Sequence, residues 1–188
     1  MPEHALKEWA VVIEALLAGE QVTVLRKGGI GEKRFELPHR RFFLFPTPLH
    51  QRPELVKPAA RDRFAGPLAQ REEPARLALP AWCELAAAHP VRDAAGLDAL
   101  DPLHVLTPEY AAERLKWRRT QPLWAVVLRV HRVDPAPVID LLPEHGGCVS
   151  WVELPAGVAP GTPAPVLDDE AFAEAAGAVE AVLAAAAR

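Results

Sequence analysis

Between residues 3 and 17 the apolar positions Leu6, Trp9, Ala10, Ile13, Leu16 and Leu17 recur mostly at intervals of three, the spacing of an amphipathic helix. That pattern predicts one helix over 3–17, stopped by Gly19. The period then changes. Val22, Thr23 and Val24 are β-branched and predict a strand over 21–27 that runs into the turn Gly28-Gly29. The apolar run 42–45, closed by Pro46-Thr47-Pro48, reads as its buried partner strand. Residues 49–75 are rich in Pro and Arg with weak periodicity and read as a mobile basic excursion. Residues 76–87 fit neither period. Short helices are expected at 93–100 and 107–115, the second opened by Thr107 as N-cap with Pro108 in the first turn. The dense apolar run 123–133 predicts a central strand and 149–154 a further one.

Beyond it, residues 155–165 hold four prolines and two glycines in eleven residues, the composition of a linker. Asp168 then caps an Ala-rich helix whose apolar stripe is Phe172, Ala176, Val179 and Leu183. Three regions are thus expected: a main domain over 1–154, a linker over 155–167 and a C-terminal helix over 168–188. The helix is a candidate for docking on the domain, for homo-oligomer formation, or for docking a protein partner, in which last case the protein is an interaction adaptor. The fold expected is α+β, a mixed or mostly antiparallel sheet that can curl into a partial barrel, carrying an N-terminal helix and the C-terminal Ala-rich helix.

Composition narrows the class. Half of the 188 residues are hydrophobic and a quarter charged, as in globular proteins. Cys83 and Cys148 form no CxxC pair, so neither a disulfide framework nor a zinc finger is legible. The start, Met1-Pro2-Glu3-His4, has no basic leader, and no apolar run reaches the roughly 18 residues of a membrane span. A cytoplasmic protein with no membrane partner is expected.

Charge changes the picture most. Residues 26–71 carry eleven Lys or Arg against four acids, a local +7 in a chain whose total is −4. Such segregation predicts one cationic surface for a phosphate-bearing partner or nucleic acid. Arg26-Lys27-Gly28-Gly29 sets two cations beside two glycines, so that backbone N–H groups and side-chain charge can converge on a phosphate. A solvated hairpin turn is the plainer reading of the same four residues. His50 and Gln51 follow the Phe-rich strand and suit a general base, or phosphate donor, and a hydrogen-bonding clamp. Lys57 adds a cation. Arg114, Lys116, Trp117, Arg118 and Arg119 interleave charge with an aromatic ring, as single-stranded nucleic acid prefers. A metal-dependent phosphodiesterase or nuclease would instead use Glu32 or Glu36 with Lys27 and His50, and would need Mg²⁺. No other cofactor and no resident metal is predicted. His145 and Cys148 have a usable spacing for a metal but lack further ligands, and a tight turn into a core strand describes them better.

Glu8-Trp9-Ala10-Val11-Val12, Leu25-Arg26-Lys27-Gly28-Gly29-Ile30, Phe45-Pro46-Thr47 with His50-Gln51, and Gly147-Cys148 with Ser150-Trp151 together resemble the bacterial family called domain of unknown function 1802. The resemblance spans about residues 5–154. It implies a small cytoplasmic protein of a family without an established activity, and it carries no catalytic residue over. It does imply that the Arg26–Gly29 and His50-Gln51 segments are more than turns.

Overall fold

A computed structural model of the chain describes residues 3–27, 35–117, 121–147, 149–158 and 161–187. Its centre is a seven-stranded sheet built from β1 (His4–Trp9), β2 (Thr23–Arg26), β3 (Arg41–Thr47), β5 (Ala81–Val91), β6 (Leu123–Asp134), β8 (Trp151–Glu153) and β9 (Thr162–Pro165). The strand order is β2-β6-β5-β3-β1-β8, with β9 also paired to β6. Only β1 and β3 run parallel, in the register Leu6↔Leu44, and every other pairing in the sheet is antiparallel. The fold is therefore α+β with a mixed sheet. Its path is open, so there is no closed barrel. The sheet nonetheless curls enough for Arg26 on β2 to donate to the Lys7 carbonyl on β1, at 2.8 Å, although three strands separate β2 from β1.

Two cores follow from the two faces. On one, Leu6, Leu44, Val126 and Leu128 pack with residues of α1 (Ala10–Leu17), α4 (Ala94–Leu100) and α5 (Pro108–Lys116). On the other, Ala5, Phe43 and Phe45 meet Leu77 and Ile139 from a two-stranded ribbon of β4 (Arg76–Ala78) and β7 (Val138–Asp140).

The N-terminal helix expected over 3–17 is half strand. Residues 4–9 pair with β3 on one side and β8 on the other, and only 10–17 are helical. The three-residue spacing of Leu6, Trp9 and Ile13 suits a helix, but inter-strand hydrogen bonding and burial on both sheet faces override it. Gly19 does end α1, at φ 73°, with Glu20 N–H returning to the Ala15 carbonyl at 3.0 Å. The segment 49–75, expected to be a mobile excursion, contains α2 (Pro58–Arg63) and α3 (Ala65–Ala69). Leu55, Val56, Phe64 and Leu68 anchor it in the core, and Lys57 N–H donates to the Val105 carbonyl at 2.9 Å.

The Pro- and Gly-rich segment supplies β9 on the edge of β6, where prolines without N–H groups can be accommodated. After it, α6 (Asp169–Ala186) is capped by the Asp168 carboxylate, which accepts Ala171 N–H at 2.8 Å. Val179 is buried in the main core, and the Arg129 guanidinium lies 4.7 Å from the Phe172 ring centroid. No described helix is long and apolar enough to cross a membrane.

Candidate functional site

The parallel pair ends at Trp9 and Thr47, and a cleft of about 560 Å³ opens at those carboxyl ends, a size common for small-ligand sites. Ligand clefts in open sheets favour such strand ends, where the chain turns away and leaves side chains unshielded. Besides β1 and β3, its walls come from the end of β2, the last turns of α5 and the approach to β8. Among the described residues, five cationic side chains, Lys7, Arg26, Lys27, Arg52 and Arg114, line it against two carboxylates, Glu8 and Glu113.

Both carboxylates are already committed to arginines. Glu8 is buried, its Oε2 lies 3.3 Å from Arg26 Nη1, and its Oε1 accepts Trp9 N–H at 2.8 Å. Arg26 also donates to the Ser150 hydroxyl at 3.0 Å, tying β2 to the start of β8 across the gap in the sheet. Its Nε is buried without a hydrogen-bond partner among the described residues. Lys7 Nζ donates to the Gly147 carbonyl at 3.1 Å and lies 5.4 Å from the Phe45 ring centroid. At the mouth, Arg52 and Glu113 form an exposed ion pair at 2.5 Å.

Lys27 is different. It is 2% exposed, and its Nζ donates to the Leu115 carbonyl at 2.6 Å, the one hydrogen bond found for it among the described residues. No carboxylate among the described residues pairs with it, and burial lowers the ammonium pKa below the usual lysine value. An aromatic wall stands nearby: Tyr110 is buried 5.0 Å from the Trp9 ring, and the Arg114 guanidinium lies 5.2 Å from the Tyr110 centroid. Burial raises the Tyr110 hydroxyl pKa. Trp117, at the C-terminal end of α5, completes that wall.

The cleft thus gathers Arg26, Lys27, His50, Arg114 and Trp117 of the residues singled out in the sequence. His50 sits on the rim in a left-handed conformation, φ 63°, where Gln51 N–H closes a turn to the Pro48 carbonyl at 3.2 Å. A side chain other than Gly costs about 1 kcal/mol in that region, a strain often stored at sites.

Other candidates have structural work. Gln51 is buried, and its Oε1 accepts Val11 N–H at 3.0 Å while its amide donates to the Pro67 carbonyl at 3.2 Å. It therefore caps α1 and binds the 58–69 segment to it, and does not line the cleft. Lys57 lies outside the cleft lining and pairs with the Asp101 carboxylate at 3.2 Å and the His104 carbonyl at 2.9 Å. Lys116 is exposed and away from the lining. Glu36, a nuclease candidate, is exposed outside it, its carbonyl accepting the Trp151 indole N–H at 3.0 Å. Gly28, Gly29, Glu32, Arg118, Arg119 and Cys148 lie outside the described residues. No group of three or more His, Cys, Asp or Glu suited to a metal occurs among the described residues. His145 is buried, with Nδ1 accepting Leu142 N–H at 3.2 Å.

Sequence reasoning missed Lys7, Glu8, Tyr110 and Ser150 as site residues. The signal available was weak: a Lys-Glu pair inside an apolar run, which reads as the polar face of a helix. Only as a strand does 4–9 direct Lys7 and Glu8 to opposite faces of a sheet that bends around both.

Comparison with known proteins gives one match: a family model described as a domain of unknown function, DUF1802, covers residues 5–178. No curated protein and no solved structure matches the chain. The matched region extends beyond residue 154, through β9 and into α6.

Proposed function

Since the chain belongs to the family of domain of unknown function 1802, whose description assigns no activity, we propose a function from the cleft itself: it binds a phosphate-bearing ligand, a nucleotide or a strand of nucleic acid. The observation that carries this reading is Lys27. Among the described residues this buried, cleft-lining ammonium meets a carbonyl but no carboxylate, and a phosphate supplies a counter-charge with three acceptor oxygens. Arg114, and Arg52 after exchanging Glu113 for the ligand, extend the same charge toward the mouth. Arg26 contributes chiefly by holding the walls together, because Glu8, Ser150 and the Lys7 carbonyl occupy it.

The test is titration of fluorescently labelled single-stranded RNA and DNA, ATP and tripolyphosphate across a salt series. Binding is expected to weaken steeply with salt. Lys27→Gln, which keeps a polar group near Leu115, is expected to weaken it about tenfold, the scale of one charge-assisted bond. Absence of affinity for all four probes at low salt refutes the proposal.

A further inference from the structure

The cleft is graded in depth. Lys27 and Tyr110 at its inner end are 2% and 4% exposed, whereas Leu49 and Val149 at its mouth are 36% and 39% exposed. Leu49 and Val149 are two of the four large hydrophobic side chains left exposed among the described residues, and they arrive from different parts of the chain, one after β3 and the other before β8. Two apolar residues brought to the lip of a cationic cleft are not explained by phosphate binding. A ligand of phosphate alone loses hydration there without gaining a contact. A ligand with a flat, partly apolar ring gains one, because such a ring can lie over the lip and against Trp117 while its charge reaches inward.

Building on the proposed phosphate-binding role, we infer that the ligand is a nucleoside phosphate held phosphate-first, the phosphate at Lys27 and the base across Leu49, Val149 and Trp117. The volume supports one nucleotide. About 560 Å³ lies within the range of small-ligand pockets, and two of the residues that line it, Lys27 and Tyr110, are almost fully buried. A terminal phosphate fits that arrangement, whereas an internal phosphate of a long strand has chain to accommodate on both sides. Arg114, stacked on Tyr110, also lines the cleft and suits the ribose or the inner phosphates.

The deciding experiment compares ATP and CTP with tripolyphosphate, which has the phosphates and no base, by calorimetry on the full-length protein. Both nucleotides are expected to bind about tenfold or more tightly than tripolyphosphate, the scale of one stacked base. The double variant Leu49→Ser/Val149→Ser, at exposed positions where folding is little affected, is expected to bring that ratio to within about twofold. Equal affinity of nucleotides and tripolyphosphate in the wild type overturns the nucleoside assignment and leaves phosphate binding standing. A nucleotide preference that survives in the double variant overturns the placement of the base. Failure of all three probes to bind overturns this inference, and failure of the single-stranded RNA and DNA as well overturns the function it rests on.

Discussion

Lys27 and Lys57 stand in the same basic stretch of sequence and invite the same reading, yet the fold treats them oppositely. Lys57 is surrounded by acceptors: the Asp101 carboxylate at 3.2 Å, the carbonyl of the same residue and the His104 carbonyl at 2.9 Å. It closes a polar cluster beneath α4 with its charge already answered. Lys27 is more buried but has one carbonyl and faces a cleft. The lesson is that a cation marks a binding site by what does not accompany it. Counting basic residues along the chain weighs both lysines equally, while the partner of each decides whether its charge is structural or available.

The contrast can be broken most sharply at Glu8, the buried carboxylate that makes Arg26 resemble Lys57 more than Lys27. Glu8→Ala leaves the half-buried Arg26 guanidinium without this counter-charge and is expected to cost about 3 kcal/mol, measured by urea unfolding. A cost below about 1 kcal/mol shows that Arg26 does not depend on Glu8.

Next in size is a pH effect at the sealed cluster. His104 is buried beside Lys57, and burial first, then the Lys57 charge, lowers its pKa to about 4. Its Nδ1 accepts Leu106 N–H at 3.2 Å, which needs the neutral ring. A depressed folded-state pKa means that the unfolded chain binds the proton first. The stabilisation is complete above the unfolded value near 6.5 and declines as pH falls toward 4, by about 2 kcal/mol at pH 5. His104→Asn removes this slope, and unfolding midpoints at pH 7 and pH 5 for the two proteins check it.

The two lysines themselves give the third test. Lys57→Met strips Asp101 and two carbonyls of their donor and is expected to lower stability by about 1 kcal/mol without weakening the binding of tripolyphosphate. Lys27→Met removes an ammonium that no carboxylate among the described residues offsets, so stability is expected to hold or rise by up to about 1 kcal/mol while affinity falls. Burial lowers the Lys27 pKa, so the penalty of its charge is full below the folded-state value and is relieved as pH rises from there toward the ordinary lysine value. If both variants lose the same stability and neither loses affinity, the distinction between them fails.

The smallest effect belongs to the mouth. Arg52 and Glu113 are 47% and 58% exposed, and a double-mutant cycle with Arg52→Ala and Glu113→Ala is expected to give a coupling below about 0.5 kcal/mol in stability. Glu113→Ala alone is expected to tighten tripolyphosphate modestly, about two- to threefold, by freeing Arg52 for the ligand. Binding titrations read this directly.

What the chain determined by itself is its local chemistry. Thr107 with Pro108, Asp93 and Asp168 open α5, α4 and α6 as their capping side chains require, Gly19 ends α1, and the apolar run of β6 reads as a buried strand because few other structures accept it. The cation segregation around 26–71 was equally legible, and it pointed to Arg26, Lys27 and His50, which do line the cleft. Tertiary structure decided the rest. Whether 4–9 was strand or helix depended on β3 and β8 lying beside it, and whether 49–75 was loose depended on Phe64 and Leu68 finding the core. Gln51 became a helix cap and Lys57 a paired cation because Val11 and Asp101, 40 and 44 residues distant, were brought to them. Side-chain type and spacing set propensity and charge, but a hydrogen bond or a counter-ion is made across space. Only the fold decides which charges are neutralised and which still face open solvent or a ligand.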